Sequence, residues 1–230
     1  MTFLVSSSRA ALATTACEMI TQKLSDALQS KGRASLMCSG GSTPGPVYQN
    51  LSEKQLDWEK VTVGLADERW VEPNSEFSNE RLLRETLLQA NARTARFLPM
   101  KTDAITAVEA VADVDMAYQS FSLPIDVMVL GMGNDGHSLS WFPGAAGLDQ
   151  AIDLANESMV AAIKAAPSNV TGVHTERMTL TRKAVENTSL VLLLMTGEEK
   201  RKVYEDGDSQ LPIRTVQDAA QSRLTVLWAE

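Results

Sequence analysis

Short apolar runs alternate with longer segments of helical periodicity along nearly all of this 230-residue chain. That alternation restricts the fold more than any other feature of the sequence. Residues 3–5, 34–38, 61–66, 125–130, 158–163, 190–195 and 224–228 read as strands. Leu12, Ala16, Ile20, Leu24 and Leu28 recur at near-helical spacing within 8–30, which predicts a long helix. Further helices are expected near Thr43, over 81–88, from Gly197, and in a segment carrying Ile105, Val108, Ala112 and Met116 on one side. Thr196 and Glu199 match a capping box for the helix after Gly197, and the residues after Asp67 read as a loop. Together these elements specify an α/β fold: a three-layer, mostly parallel open sheet with helices on both faces. No linker or internal repeat divides the chain, so one domain over 1–230 is expected.

Charge and composition exclude several classes of function. A formal net charge of −8 argues against nucleic acid or an anionic membrane surface as a partner, because both need a basic face. It leaves room for a small anionic substrate met by a local cluster of arginine and lysine. No apolar stretch approaches the roughly 18 residues of a membrane span, and the N-terminus lacks the pattern of a secretory signal, so a cytoplasmic location is expected. Cys17 and Cys38 read as reduced, buried thiols. Two histidines and two distant cysteines form no zinc-binding spacing, and no G-x-S-x-G nucleophile elbow is present. The sequence does not fix an oligomeric state.

Three unusual loops each follow a strand directly, so in a parallel sheet all three should open at the carboxyl edge, where ligands bind. SLMC runs into SGGSTPGP. Gly40 and Gly41 allow a tight turn, Thr43 is placed to cap a helix, and Pro44 fits its first position. The free first-turn amides, with the hydroxyls of Ser42 and Thr43, would make an anion pocket; the same features also make an unliganded strand-to-helix turn. VTVGLA runs into DERW, where Arg69 offers a fork of donors suited to phosphate but Asp67, Glu68 and Arg69 also fit a solvated turn. DVMVL runs into GMGNDGH.

That third loop carries Gly131, Gly133 and Gly136 in the G-x-G-x-x-G spacing of a dinucleotide site. Such a site needs a long helix after its third glycine, whereas Pro143 and Gly144 interrupt the chain here. No dinucleotide is therefore expected. His137, with Asp135 two residues before it, is the better use of the loop: an imidazole oriented by a carboxylate can act as a general base. The alternative is a structural histidine bonded to loop carbonyls. His174 lies in a polar connection and is not expected to be catalytic.

The set SGGSTP, DERWVEPNSEFSNERLLRETLL, GMGNDGHSLSWFPG, RMTLT and TGEEK resembles the 6-phosphogluconolactonase family over most of the chain and in the family's order. Glucosamine-6-phosphate deaminases share the fold but are similar to DEY and FNEPG where this chain has DERW and WFPG. The resemblance implies a NagB/RpiA/CoA transferase-like sheet. It also implies hydrolysis of 6-phospho-D-glucono-1,5-lactone in the oxidative pentose phosphate pathway, without metal or organic cofactor. By the same resemblance His137 is the general base and Asp135 its partner, while Arg69, Gly40, Gly41, Ser42 and Thr43 form the phosphate site. Lys164 corresponds to a second phosphate cation, although APSNVTGVHTE separates it from Arg177, which is the other candidate for that place. A deaminase-like sugar-phosphate isomerase and a non-catalytic sugar-phosphate sensor are the competing functions.

Overall fold

The structure is a computed structural model and describes residues 1–206 and 208–230. Its strands are β1 (Thr2–Val5), β2 (Ala34–Cys38), β3 (Val61–Leu65), β4 (Asp67–Arg69), β5 (Arg96–Leu98), β6 (Ile125–Gly131), β7 (Val160–Lys164), β8 (Glu176–Leu180), β9 (Thr188–Thr196) and β10 (Leu224–Ala229). The helices are α1 (Arg9–Lys31), α2 (Gly45–Ser52), α3 (Asn79–Thr86), α4 (Ala107–Gln119), α5 (Leu148–Ile152), α6 (Arg182–Glu186), α7 (Glu198–Asp206) and α8 (Pro212–Ala220). Seven strands form one sheet in the order β1-β10-β9-β6-β2-β3-β5, every pair parallel. Every residue of β2 and β10 is buried, the condition of strands covered on both faces, which is why they read as unbroken apolar runs. The chain order reverses beside β2: β3 and β5 lie to one side, β6, β9 and β10 to the other. A crevice at the carboxyl ends is expected at such a point.

Helix α1 shows how the sequence writes its own boundaries. Ser8 Oγ accepts from the Ala11 amide at its start, and Gly32 closes it in the left-handed region at φ +68°, the conformation glycine adopts without a Cβ clash. Between them Leu12, Ala16, Ile20, Leu24 and Ala27 are buried, each large aliphatic side chain contributing about 1.5–3 kcal/mol of burial. In α4 the expected boundary signal is present, a reciprocal capping box between Thr106 and Glu109, but the expected apolar side is the solvent side. Ile105, Val108 and Met116 are exposed, and the helix instead buries Ala107, Ala110, Val114 and Tyr118. Two of those four are alanines, so this face stands out less in the sequence than the spacing of Val108 and Met116.

A second, antiparallel sheet, β4-β8-β7, was not legible in the sequence. It begins where the chain leaves β3 through Ala66, whose amide donates to Cys38 O while its carbonyl accepts from the Leu180 amide. The segment expected to be a loop after Asp67 is therefore a three-residue strand paired with β8. No helix among the described residues is long and apolar enough to cross a membrane, and both cysteines are free and buried.

Candidate active site

The three loops do meet, in a cleft of about 280 Å³ at the carboxyl edge. Gly40, Gly41, Ser42 and Thr43 form one wall, Asp67 and Arg69 a second, and Gly133 and His137 a third. The glycine loop starts its helix one residue later than the sequence suggests. Pro44 takes the cap position, α2 begins at Gly45, and no side chain caps it; the Thr43 hydroxyl lies 3.4 Å from that of Thr196 on β9. Gly40 is dictated by close approach, since a Cβ there would stand 1.8 Å from Asn79 Oδ1. Ser39, at the end of β2, also lines the cleft, and its Oγ is buried without a hydrogen-bond partner.

Glu68 explains why DERW folds as it does. Its fully buried carboxylate accepts from the amides of Arg69, Asn79 and Glu80, each at 2.8 Å, and from Ser78 Oγ at 3.0 Å. The amides of Asn79 and Glu80 are donors left open at the N-terminus of α3, so a single side chain binds that helix to β4. Burial raises the Glu68 carboxyl above the usual carboxylate range, and the four hydrogen bonds work against that rise. On either side of Glu68 the chain alternates, as a strand must, and presents Asp67 and Arg69 to the cleft.

The histidine loop settles the use of its glycines. His137 Nδ1 lies 2.5 Å from Asp135 Oδ1, and the ring packs on Phe142 with centroids 4.4 Å apart. A Cβ on Gly133 would stand 2.3 Å from the imidazole and 2.6 Å from Asp135 Oδ1. The spacing thus lets the ring fold onto its own loop. Burial acts to raise the Asp135 carboxyl, but the hydrogen bond and charge of His137 outweigh it and hold the group below its usual range. With Nδ1 engaged by a carboxylate, Nε2 is the nitrogen left to accept a proton. Asp135 itself sits behind the ring and does not line the cleft.

Lysine is supplied from an unexpected place. Lys200, on α7, lines the cleft, and among the described residues no carboxylate lies within ion-pair distance of it. Partial burial lowers its pKa, with the charge of Asp135 opposing the shift. The expected capping box of α7 is not made: the helix begins at Glu198, and Glu199 accepts from Asn134 Nδ2 at 2.6 Å, which ties α7 to the histidine loop. Lys164 is not brought to this cleft. It is exposed at the end of β7, 3.9 Å from Glu176, and faces a different cavity with Val108 and Gln150. Arg177 stands opposite Arg69 in the β4–β8 register and is buried. Its guanidinium donates to the carbonyls of Thr171 and His174, fastening the segment whose Val170 lines the cleft. Burial, and then the charge of Arg69, push its pKa down to about 10. The His174 ring packs on Phe77 and does not line the cleft.

A model of the glucosamine-6-phosphate isomerase/6-phosphogluconolactonase family matches residues 7–228. The chain belongs to that family. Among relatives of this family, a 6-phosphogluconolactonase of Rhizobium meliloti is 37% identical over 95% of this chain and 94% of its own length. Another, from Xylella fastidiosa, is 41% identical over 86% of this chain and 83% of its own. A solved 6-phosphogluconolactonase structure from Shewanella baltica superposes with a TM-score of 0.92 at 37% identity, covering 100% of this chain and 98% of that one. A monomeric glucosamine-6-phosphate deaminase has a TM-score of 0.80 at 17% identity, a likeness of fold.

Proposed function

We propose that this chain hydrolyses 6-phospho-D-glucono-1,5-lactone to 6-phosphogluconate, the phosphate held by Arg69, Lys200 and the glycine loop and C1 placed beside His137. The observation that carries this reading is one cleft lined by an imidazole, paired with a carboxylate behind it, and by two cations and a glycine-rich helix approach. His137 Nε2 takes a proton from water as the water oxygen bonds to C1; the C1–ring oxygen bond then breaks, and the imidazolium returns the proton to the departing oxygen. Asp135 keeps the ring in the tautomer that this requires. Lys200 takes the role that the sequence resemblance gave to Lys164, because an incoming phosphate supplies the counter-charge its partly buried amine lacks.

The test is lactone disappearance measured against the spontaneous rate, with ammonia release from glucosamine 6-phosphate followed in parallel. Hydrolysis above background without ammonia supports the reading; ammonia release without hydrolysis replaces it with the deaminase.

Ser39 adds a sharper expectation. A buried hydroxyl without a partner costs about 1–3 kcal/mol, and on a residue that lines the cleft a turn about χ1 would bring it to substrate. Ser39→Ala should therefore leave thermal stability unchanged or raised while lowering kcat/KM about 10-fold, the worth of one hydrogen bond of about 1.5 kcal/mol. Unchanged kcat/KM would remove Ser39 from the substrate's contacts.

A further inference from the structure

A line of side-chain contacts joins the three loops along one wall of the cleft. Asn79 Oδ1 lies against Gly40, and Asn79 Nδ2 donates to Asp67 O at 2.8 Å and to Asp67 Oδ1 at 3.2 Å. The other oxygen of that carboxylate, Oδ2, accepts from Ser140 Oγ at 2.6 Å. Ser140 is completely buried, three residues beyond His137, and its amide donates to Thr179 Oγ1 on β8 at 3.2 Å. Glu68 fixes the near end by clamping the start of α3 on both sides of Asn79.

We propose that the Asp67–Ser140 bond is a strut that sets the distance between the phosphate clamp and the base, making Asp67 and Ser140 positioning residues for the phosphorylated substrate. The inference rests on the lactonase reading above. The two ends belong to different loops: Arg69 is two residues from Asp67 on β4, and His137 is on the loop that holds Ser140. Anchoring a remote phosphate speeds a reaction only where the anchored carbon arrives at the base, and an ångström of slack can cost about 100-fold. A hydroxyl-to-carboxylate bond of this length is charge-assisted and stronger than a neutral one. At its buried serine end it resists stretching more than a surface contact does.

The strut predicts a pattern that a merely structural serine would not give. In Ser140→Ala, kcat on the phosphorylated lactone should fall about 10- to 100-fold. Activity on unphosphorylated glucono-1,5-lactone, and competitive inhibition by inorganic phosphate, should stay within about 2-fold, the ordinary scatter of an uncoupled change. The clamp and the base then each survive, and only their linkage is lost. Equal losses on both lactones, or phosphate inhibition weakened in proportion to the lost rate, would overturn the proposal. Should the alanine variant fail to fold, Ser140→Cys keeps the volume with only a weak donor and is read by the same pattern. In a double-mutant cycle, adding Ser140→Ala to Asp67→Ala should cost nothing further; additive losses would also overturn it. Wild-type protein with no preference for the phosphorylated lactone breaks the anchoring reading and the strut together. A wild-type preference that Ser140→Ala retains breaks the strut alone.

Discussion

Replacing His137 with asparagine is expected to lower turnover of the phosphorylated lactone by about 10²–10⁴-fold, the usual worth of a positioned general base, while the fold persists. Asparagine keeps an N–H for Asp135 and part of the contact with Phe142, and it needs no more room beside Gly133 than the ring it replaces. What it lacks is a basic nitrogen. Turnover and thermal unfolding measured on the same preparation separate the two effects, and near-normal turnover would remove His137 from the chemistry. The pH behaviour follows from Asp135. Its carboxyl titrates below the usual range, so its bond to the ring is intact above the unfolded value of roughly 4 and is lost only as pH falls through the lower folded value. A fall in activity between about pH 8 and pH 5 is therefore not the titration of Asp135.

Arg69→Ala should lower kcat/KM on the phosphorylated lactone about 10- to 150-fold, corresponding to about 1.5–3 kcal/mol for a charged hydrogen bond, and leave the unphosphorylated lactone nearly untouched. Arg69→Lys should restore only part, because an ammonium cannot reproduce the planar fork. Lys200→Ala should act in the same direction. The lysine differs in its pH dependence: its pKa is lowered by burial, so phosphate affinity should weaken as pH rises through a value below the ordinary lysine range. Equal losses on both lactones for Arg69→Ala would take the phosphate away from this arginine.

What the sequence disclosed depended on how strongly each element writes its physics. The strands 34–38, 125–130 and 190–195 are legible because helices cover both their faces and demand unbroken apolar runs. The glycine loops are legible because a Cβ at Gly40 or Gly133 would displace Asn79 or His137. Strand β4, of three residues, has no period to detect, and without it the second sheet was invisible. That omission also explains Lys164. Its place was carried over from a motif, and the edge at which β7 ends could not be judged until its antiparallel partners were known. Lys200 carries a readable signal: TGEEK follows a buried parallel strand just as the other three loops do, and so opens at the same edge. The solvent face of α4 misled for a different reason, since Val108, Ala112 and Met116 recur there at helical spacing while two of the four residues buried on the contact face are alanines. Glu68 and Asn79, adjacent to recognisable motifs, show their roles only once α3 is docked on β4.

The most direct test of the account is a structure of the protein with 6-phosphogluconate bound. The account predicts the phosphate within hydrogen-bond distance of Arg69 and Lys200 and the C1 carboxylate beside His137 Nε2, with Asp135 still on Nδ1. A product whose phosphate lies away from both cations, or whose C1 is out of reach of an imidazole turned from the cleft, would contradict it.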